Sequence, residues 1–124
     1  MNTNQLVCLL SDTFDVTTKQ LNHLCFMYYL TNRRPAFRFY TSPDGPTCVF
    51  ISIPKPLQVR TVREKITPEQ KQEILTILEP YTNMSADELE HYIYTQTPYK
   101  YIDEHYDYNL PITLQMLAGE RCHN

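Results

Sequence analysis

At 124 residues, with 42% hydrophobic and 20% charged residues and a formal net charge of −3, the chain matches one globular domain. It is too apolar for an intrinsically disordered protein and too acidic overall for a bulk nucleic-acid binder. No apolar run approaches the length of a membrane span, and Met1-Asn2-Thr3-Asn4 lacks the basic flank and apolar stretch of a signal peptide, so a cytoplasmic protein without membrane association is expected.

Charge is unevenly placed. Residues 1–65 hold eight Lys/Arg against four Asp/Glu, whereas residues 66–124 hold three against ten. Such a dipolar chain steers charged partners if its halves occupy different faces. The four cysteines, Cys8, Cys25, Cys48 and Cys122, form no Cys-x-x-Cys pair, which favours reduced thiols, three of them as small core residues.

Along the chain, Leu6, Val7, Leu9 and Leu10 fall on one helical face and predict a short helix over 3–11. Thr17-Thr18-Lys19-Gln20 has the form of a capping box, and Leu21, Leu24, Cys25, Tyr28 and Tyr29 follow at helical spacing, predicting a helix over 18–31 with one buried face. Arg33-Arg34-Pro35 ends it. Phe37-Arg38-Phe39-Tyr40 alternates, Cys48-Val49-Phe50-Ile51-Ser52-Ile53 is β-branched and aromatic, and Ser42-Pro43-Asp44-Gly45 lies between as a turn. That pattern predicts a β-hairpin over 37–53, closed by Pro54 and Pro56.

Two more helices are announced by their caps. Thr67-Pro68-Glu69-Gln70 leads into Ile74, Ile77, Leu78 and Tyr81; Ser85-Ala86-Asp87-Glu88 leads into Leu89, Tyr92, Ile93 and Gln96, and Thr97-Pro98 ends that helix. Residues 99–109 show neither period, and a short helix is expected over 112–118 before Gly119. The expected fold is a single α+β domain over 1–124, mainly α: a compact helical domain with one β-hairpin. Leu21, Leu24, Tyr28, Ile74, Ile77, Leu78, Leu89 and Ile93 form its expected core.

This order of elements resembles the Panacea domain family. Leu21-Asn22-His23-Leu24-Cys25-Phe26 is similar to the family's Leu-x-Lys-Leu-Leu-Tyr helix, and Pro35-Ala36-Phe37 with Gly45-Pro46 to its apolar step and Gly-Pro element. Ser85-Ala86-Asp87-Glu88-Leu89 running to Pro98-Tyr99 resembles its Ser-x-x-Glu-Leu stretch before Pro-Trp. The chain departs where the family has Lys (His23), an aromatic before Gly-Pro (Asp44), Thr-His (Ile93-Tyr94) and Trp (Tyr99). The resemblance implies an antitoxin that neutralises a toxin by direct protein contact.

Chemistry is poorly provided for. His23 and Cys25 are two residues apart on a helix and point about 200° from each other, so they cannot bind one ion. His91, His105 and Cys122-His123 lack a paired ligand at useful spacing. With glycine only at 45 and 119, no phosphate cradle or nucleophile elbow can form. No catalytic residue, metal or cofactor is expected, and the chain is read as a non-enzyme. The basic set Arg33, Arg34, Arg38, Lys55, Arg60, Arg63 and Lys65, interleaved with Phe37, Phe39 and Tyr40, has the composition of a single-strand nucleic-acid surface; with a negative total charge, solvation of the hairpin's outer face is the favoured reading.

The sharpest feature is a tyrosine cluster. Tyr92, Tyr94, Tyr99, Tyr101, Tyr106 and Tyr108 account for six of the chain's ten tyrosines and lie among Asp103, Glu104 and Asp107. Tyrosine offers large contact area at low rotamer cost and is enriched at interface hot spots. Tyr92 is expected in the core. Tyr99, Tyr101, Asp103, Glu104, Tyr106, Asp107 and Tyr108 are the expected partner-binding set, and the partner is a protein: a toxin, or, as the alternative, a bacterial immune nuclease inhibited by a phage-encoded counter-defence protein whose clustered carboxylates substitute for phosphates.

Overall fold

Helix starts organise this chain, and most are written in residues three apart. The computed structural model describes residues 2–32, 37–48, 50–63 and 65–118. The described helices are α1 (Thr3–Thr13), α2 (Thr18–Thr31), α3 (Pro56–Arg63), α4 (Pro68–Leu78), α5 (Ala86–Gln96), α6 (Tyr99–His105) and α7 (Leu114–Leu117), with one 3₁₀ turn at Glu79–Tyr81. Asn2, Thr17, Thr67, Ser85 and Thr113 each close a capping box at α1, α2, α4, α5 and α7. At α2, for example, Gln20 N donates to Thr17 Oγ1 at 3.1 Å and Thr17 N donates to Gln20 Oε1 at 2.9 Å, satisfying two amides that the helix cannot.

The expected bounds of α2 hold, but its burial is wider than a single face. Leu21 through Tyr28 are all buried, Asn22 and His23 included. A helix buried all round sits in the centre of a fold, and α2 packs against α1, α4 and α5. α3 covers α1, while α6 packs on α5 and α7. Phe26 on α2 is the aromatic hub: its ring meets Phe39 edge-on at 5.2 Å and Tyr99 at 6.1 Å. Leu21, Leu24, Tyr28, Ile74, Leu78, Leu89 and Ile93 are buried as expected, with Ile77 partly buried against them.

The β-hairpin is the main correction. Among the described residues no strand forms between 37 and 53; Tyr40 makes isolated antiparallel bridges to Thr47 and to Pro111. One pair of the expected ladder forms, with Tyr40 N donating to Thr47 O at 2.8 Å and Thr47 N to Tyr40 O at 2.9 Å, but Ile51 N donates to Cys48 O at 3.1 Å, so the chain turns after Cys48 instead of extending it. The edges facing away from this pair are taken by other partners: the Asn22 side chain acts as a one-residue strand, Nδ2 donating to Pro46 O at 2.7 Å and Oδ1 accepting from Cys48 N at 2.9 Å. On the other side, Phe39 O accepts from Ile112 N at 2.8 Å and Thr41 N donates to Leu110 O at 2.9 Å, so residues 39–41 pair with the far end of the chain. The turn itself survives, with Gly45 N donating to Ser42 O at 3.1 Å and Gly45 at φ +95°.

α3 and α6 are additions to the sequence reading. The prolines at 54 and 56, taken there as a strand's end, lead into a helix because Pro56 occupies its first position, where a missing N–H costs nothing. Cys8, Cys25 and Cys48 are free, buried thiols; burial pushes the Cys25 thiol well above its ordinary value, with Cys48 adding to the effect. No described helix is long and apolar enough to cross a membrane.

Candidate functional site

Thr97-Pro98 turns the chain sharply from α5 into α6: Thr97 Oγ1 donates back to Ile93 O at 2.6 Å and accepts from Tyr99 N at 3.2 Å. This turn aims Tyr99 inward. Its side chain is wholly buried, so of the seven expected contact residues Tyr99 belongs to the core and is inaccessible to a partner. Its ring packs against Tyr94 at 5.4 Å, and both phenols hold the 42–45 turn: Tyr94 Oη donates to Pro43 O at 3.0 Å, and Tyr99 Oη lies 3.4 Å from Ser42 O and 3.3 Å from Ser42 N. Burial pushes the Tyr99 phenol up to about 12, despite the lowering effect of its hydrogen bond to Ser42, and pushes Tyr94 up as well. Tyr92 is half-buried against Tyr81, with ring centroids 5.4 Å apart.

The other six residues remain at or near the surface. Tyr101 stacks on His105 at 4.0 Å and meets Tyr106 edge-on at 6.5 Å; Tyr101 and Asp103 are half-buried, and Glu104, Tyr106, Asp107 and Tyr108 are exposed. Tyr108 is 51% exposed. The ion pairs among the described residues are those of Lys19 with Glu90 and Asp87, so Asp103, Glu104 and Asp107 have no cationic neutraliser there. Apolar side chains extend this aromatic, anionic surface: Leu110 is exposed, as is Tyr40, whose backbone bridges Pro111.

The loop carrying these residues is held from below by Thr41, which is 2% exposed. Its hydroxyl donates to Asp107 O at 2.7 Å and accepts from Leu110 N at 3.0 Å, while its carbonyl accepts from Asn109 N at 2.7 Å. Asn109 occupies the left-handed region at φ +66°, which asparagine tolerates better than most residues. Thr41 and Asn109 were not singled out from the sequence; Tyr-Asn-Leu-Pro could have signalled a turn at 108–111, but nothing local names Thr41 as its anchor.

The basic set loses two of its three aromatics to the core. Phe37 and Phe39 are buried, whereas Tyr40 is exposed, as are Arg38, Lys55, Arg60 and Lys65. Arg33, Arg34 and the Arg63 side chain lie outside the described residues, as do Pro35-Ala36, Gly119 and Cys122-His123. Among the described residues no three His, Cys, Asp or Glu side chains converge as a metal set. His23 is buried beside the 42–47 turn with neither ring nitrogen hydrogen-bonded, and desolvation lowers it to about 4. No family model matches the chain, and no curated protein or solved structure matches it.

Proposed function

We propose that this chain is a protein-binding module that neutralises a protein partner by direct contact, without catalysing a reaction, and that α6 with the loop 106–110 is its contact surface. The observation that carries this reading is the Thr41 anchor beneath exposed, un-neutralised Tyr and Asp/Glu side chains. A loop already fixed in one conformation pays little ordering entropy on binding, and aromatic anchors ringed by charge are the composition of a hot-spot interface. The Panacea resemblance makes an antitoxin the favoured form, with a toxin as partner in the cytoplasm.

A second reading is an inhibitor of an immune nuclease, favoured by Asp103, Glu104 and Asp107, which have no cation paired to them among the described residues. These carboxylates would face a cationic nucleic-acid channel. Affinity capture from the source cell with the wild-type chain and with folded Tyr106→Ala/Tyr108→Ala tests the common core of both. A protein retained only by wild type is the expected result, and retention of the same proteins by both removes the contact surface. Elution of that partner by single-stranded nucleic acid selects the second reading; indifference to it selects the first.

A further inference from the structure

We infer that the cleft between α1, residues 50–54 and α3 is a second binding site, for an acidic peptide segment that inserts one apolar side chain. The cleft has a volume of about 390 Å³, and Val7, Phe37, Phe50 and Ile51 contribute its apolar lining. Phe50 is 85% exposed and Leu57 on α3 72%, the two most exposed large hydrophobic residues described. Phe50 lines the cleft, and an open apolar side chain that continues a concave apolar lining marks a binding groove where a lone exposed one does not.

Charge states what covers them. None of the residues lining the cleft is Asp or Glu, Arg38 is among them, and exposed Lys55 follows the lining residue Pro54. Arg38 lines the cleft itself, and none of Arg38, Lys55 and Arg60 is ion-paired among the described residues. Asn4 and Gln58, joined by a 2.8 Å hydrogen bond from Gln58 Nε2 to Asn4 Oδ1, line the cleft and supply amide groups suited to a peptide backbone. A nucleic acid is a poorer fit, because with Phe37 buried Phe50 is the single exposed ring among the lining residues, whereas strand binding stacks successive bases on several. A membrane is also a poorer fit, because it presents no side chain to fill a cleft. Arginine with an exposed aromatic beside an apolar pocket suits carboxylates flanking one aromatic or aliphatic anchor.

Fluorescence anisotropy of the full chain with a labelled peptide in which Asp and Glu flank a single Phe tests this. Saturable binding is expected, weakened about tenfold or more when the acids become Asn and Gln, and similarly by Arg38→Gln/Lys55→Gln or by Phe50→Ala. All three substituted side chains are exposed or at the cleft mouth, and circular dichroism checks their folding; Lys55→Gln alone serves if a variant is unstable. Tyr106→Ala/Tyr108→Ala leaves this affinity unchanged, so this site and the tyrosine surface fail separately. The inference is overturned if the acidic peptide binds no better than its neutral form, if the cleft variants bind it like wild type, or if single-stranded DNA or phosphatidylserine vesicles bind more tightly than the peptide.

Discussion

Thr41 and Asp107 meet through a 2.7 Å hydrogen bond from a buried hydroxyl to a carbonyl 66 positions away in sequence, and the same hydroxyl accepts from Leu110 N. Thr41→Val keeps the shape and removes both bonds. Leaving buried polar groups unpaired costs about 1–3 kcal/mol, so a loss in that range is expected in urea denaturation. Faster amide hydrogen exchange at Asn109 and Leu110 should accompany it. Unchanged exchange there would show that the loop is held by other means.

Tyr99 and its outward neighbours should separate cleanly. Tyr99→Ala removes a fully buried ring and should cost about 3–5 kcal/mol of stability. Tyr106→Ala and Tyr108→Ala should leave the melting temperature nearly unchanged and weaken partner affinity by about 2 kcal/mol each. Stability loss without affinity loss at Tyr106 and Tyr108 would refute the contact assignment.

Neutralising Asp103, Glu104 or Asp107 should act on rate. On the proposed contact surface they are edge charges that would steer encounter, so Asn or Gln substitutions should slow association and flatten its salt dependence, with dissociation little changed. Stopped-flow association at two ionic strengths reads both quantities.

His23 gives the fold a pH dependence whose sign is fixed by its environment. Desolvation is the main cause of its lowering to about 4 from 6.5, with Glu90, Lys19 and Asp44 the charged groups acting on it. Between those values the unfolded chain binds the proton and the folded chain does not, so the contribution is intact above pH 6.5 and is lost as pH falls toward 4. The full loss is about 3 kcal/mol. His23→Leu should remove this step from stability measured between pH 7 and 4. Because the imidazole makes no hydrogen bond, the variant should be no less stable than wild type at pH 7.

Legibility followed the capping residues. α2, α4 and α5 were readable because Thr17/Gln20, Thr67/Gln70 and Ser85/Glu88 state their starts locally. α6 has no side-chain cap, since its N-cap is Pro98, and its aromatic-acidic sequence has no clear helical period. α3 lies against α1 with most of its residues exposed, so little apolar pattern marks it. The hairpin failed for a different reason: Phe37 to Ile53 carries strand-like residues, but only the Tyr40–Thr47 pair forms within it before the chain turns after Cys48, and its outer edges bond to Asn22 and residues 109–112, partners too distant for sequence periodicity to record. The acidic tyrosine set was visible as composition; that Tyr99 turns inward follows from the Thr97-Pro98 corner.

The five capping boxes also order events in time. Each joins residues three apart, so those helix starts can form early at little loop-closure cost, whereas the pairing of residues 39–41 with 109–112 must wait for the chain between them to collapse. Topology thereby predicts that the aromatic loop is among the last parts of the molecule to take shape, which pulse-labelled hydrogen exchange at Asn109 and Leu110 would read. A partner of the proposed surface would then recognise completed folding, and chains arrested earlier would carry the same tyrosines without displaying that surface.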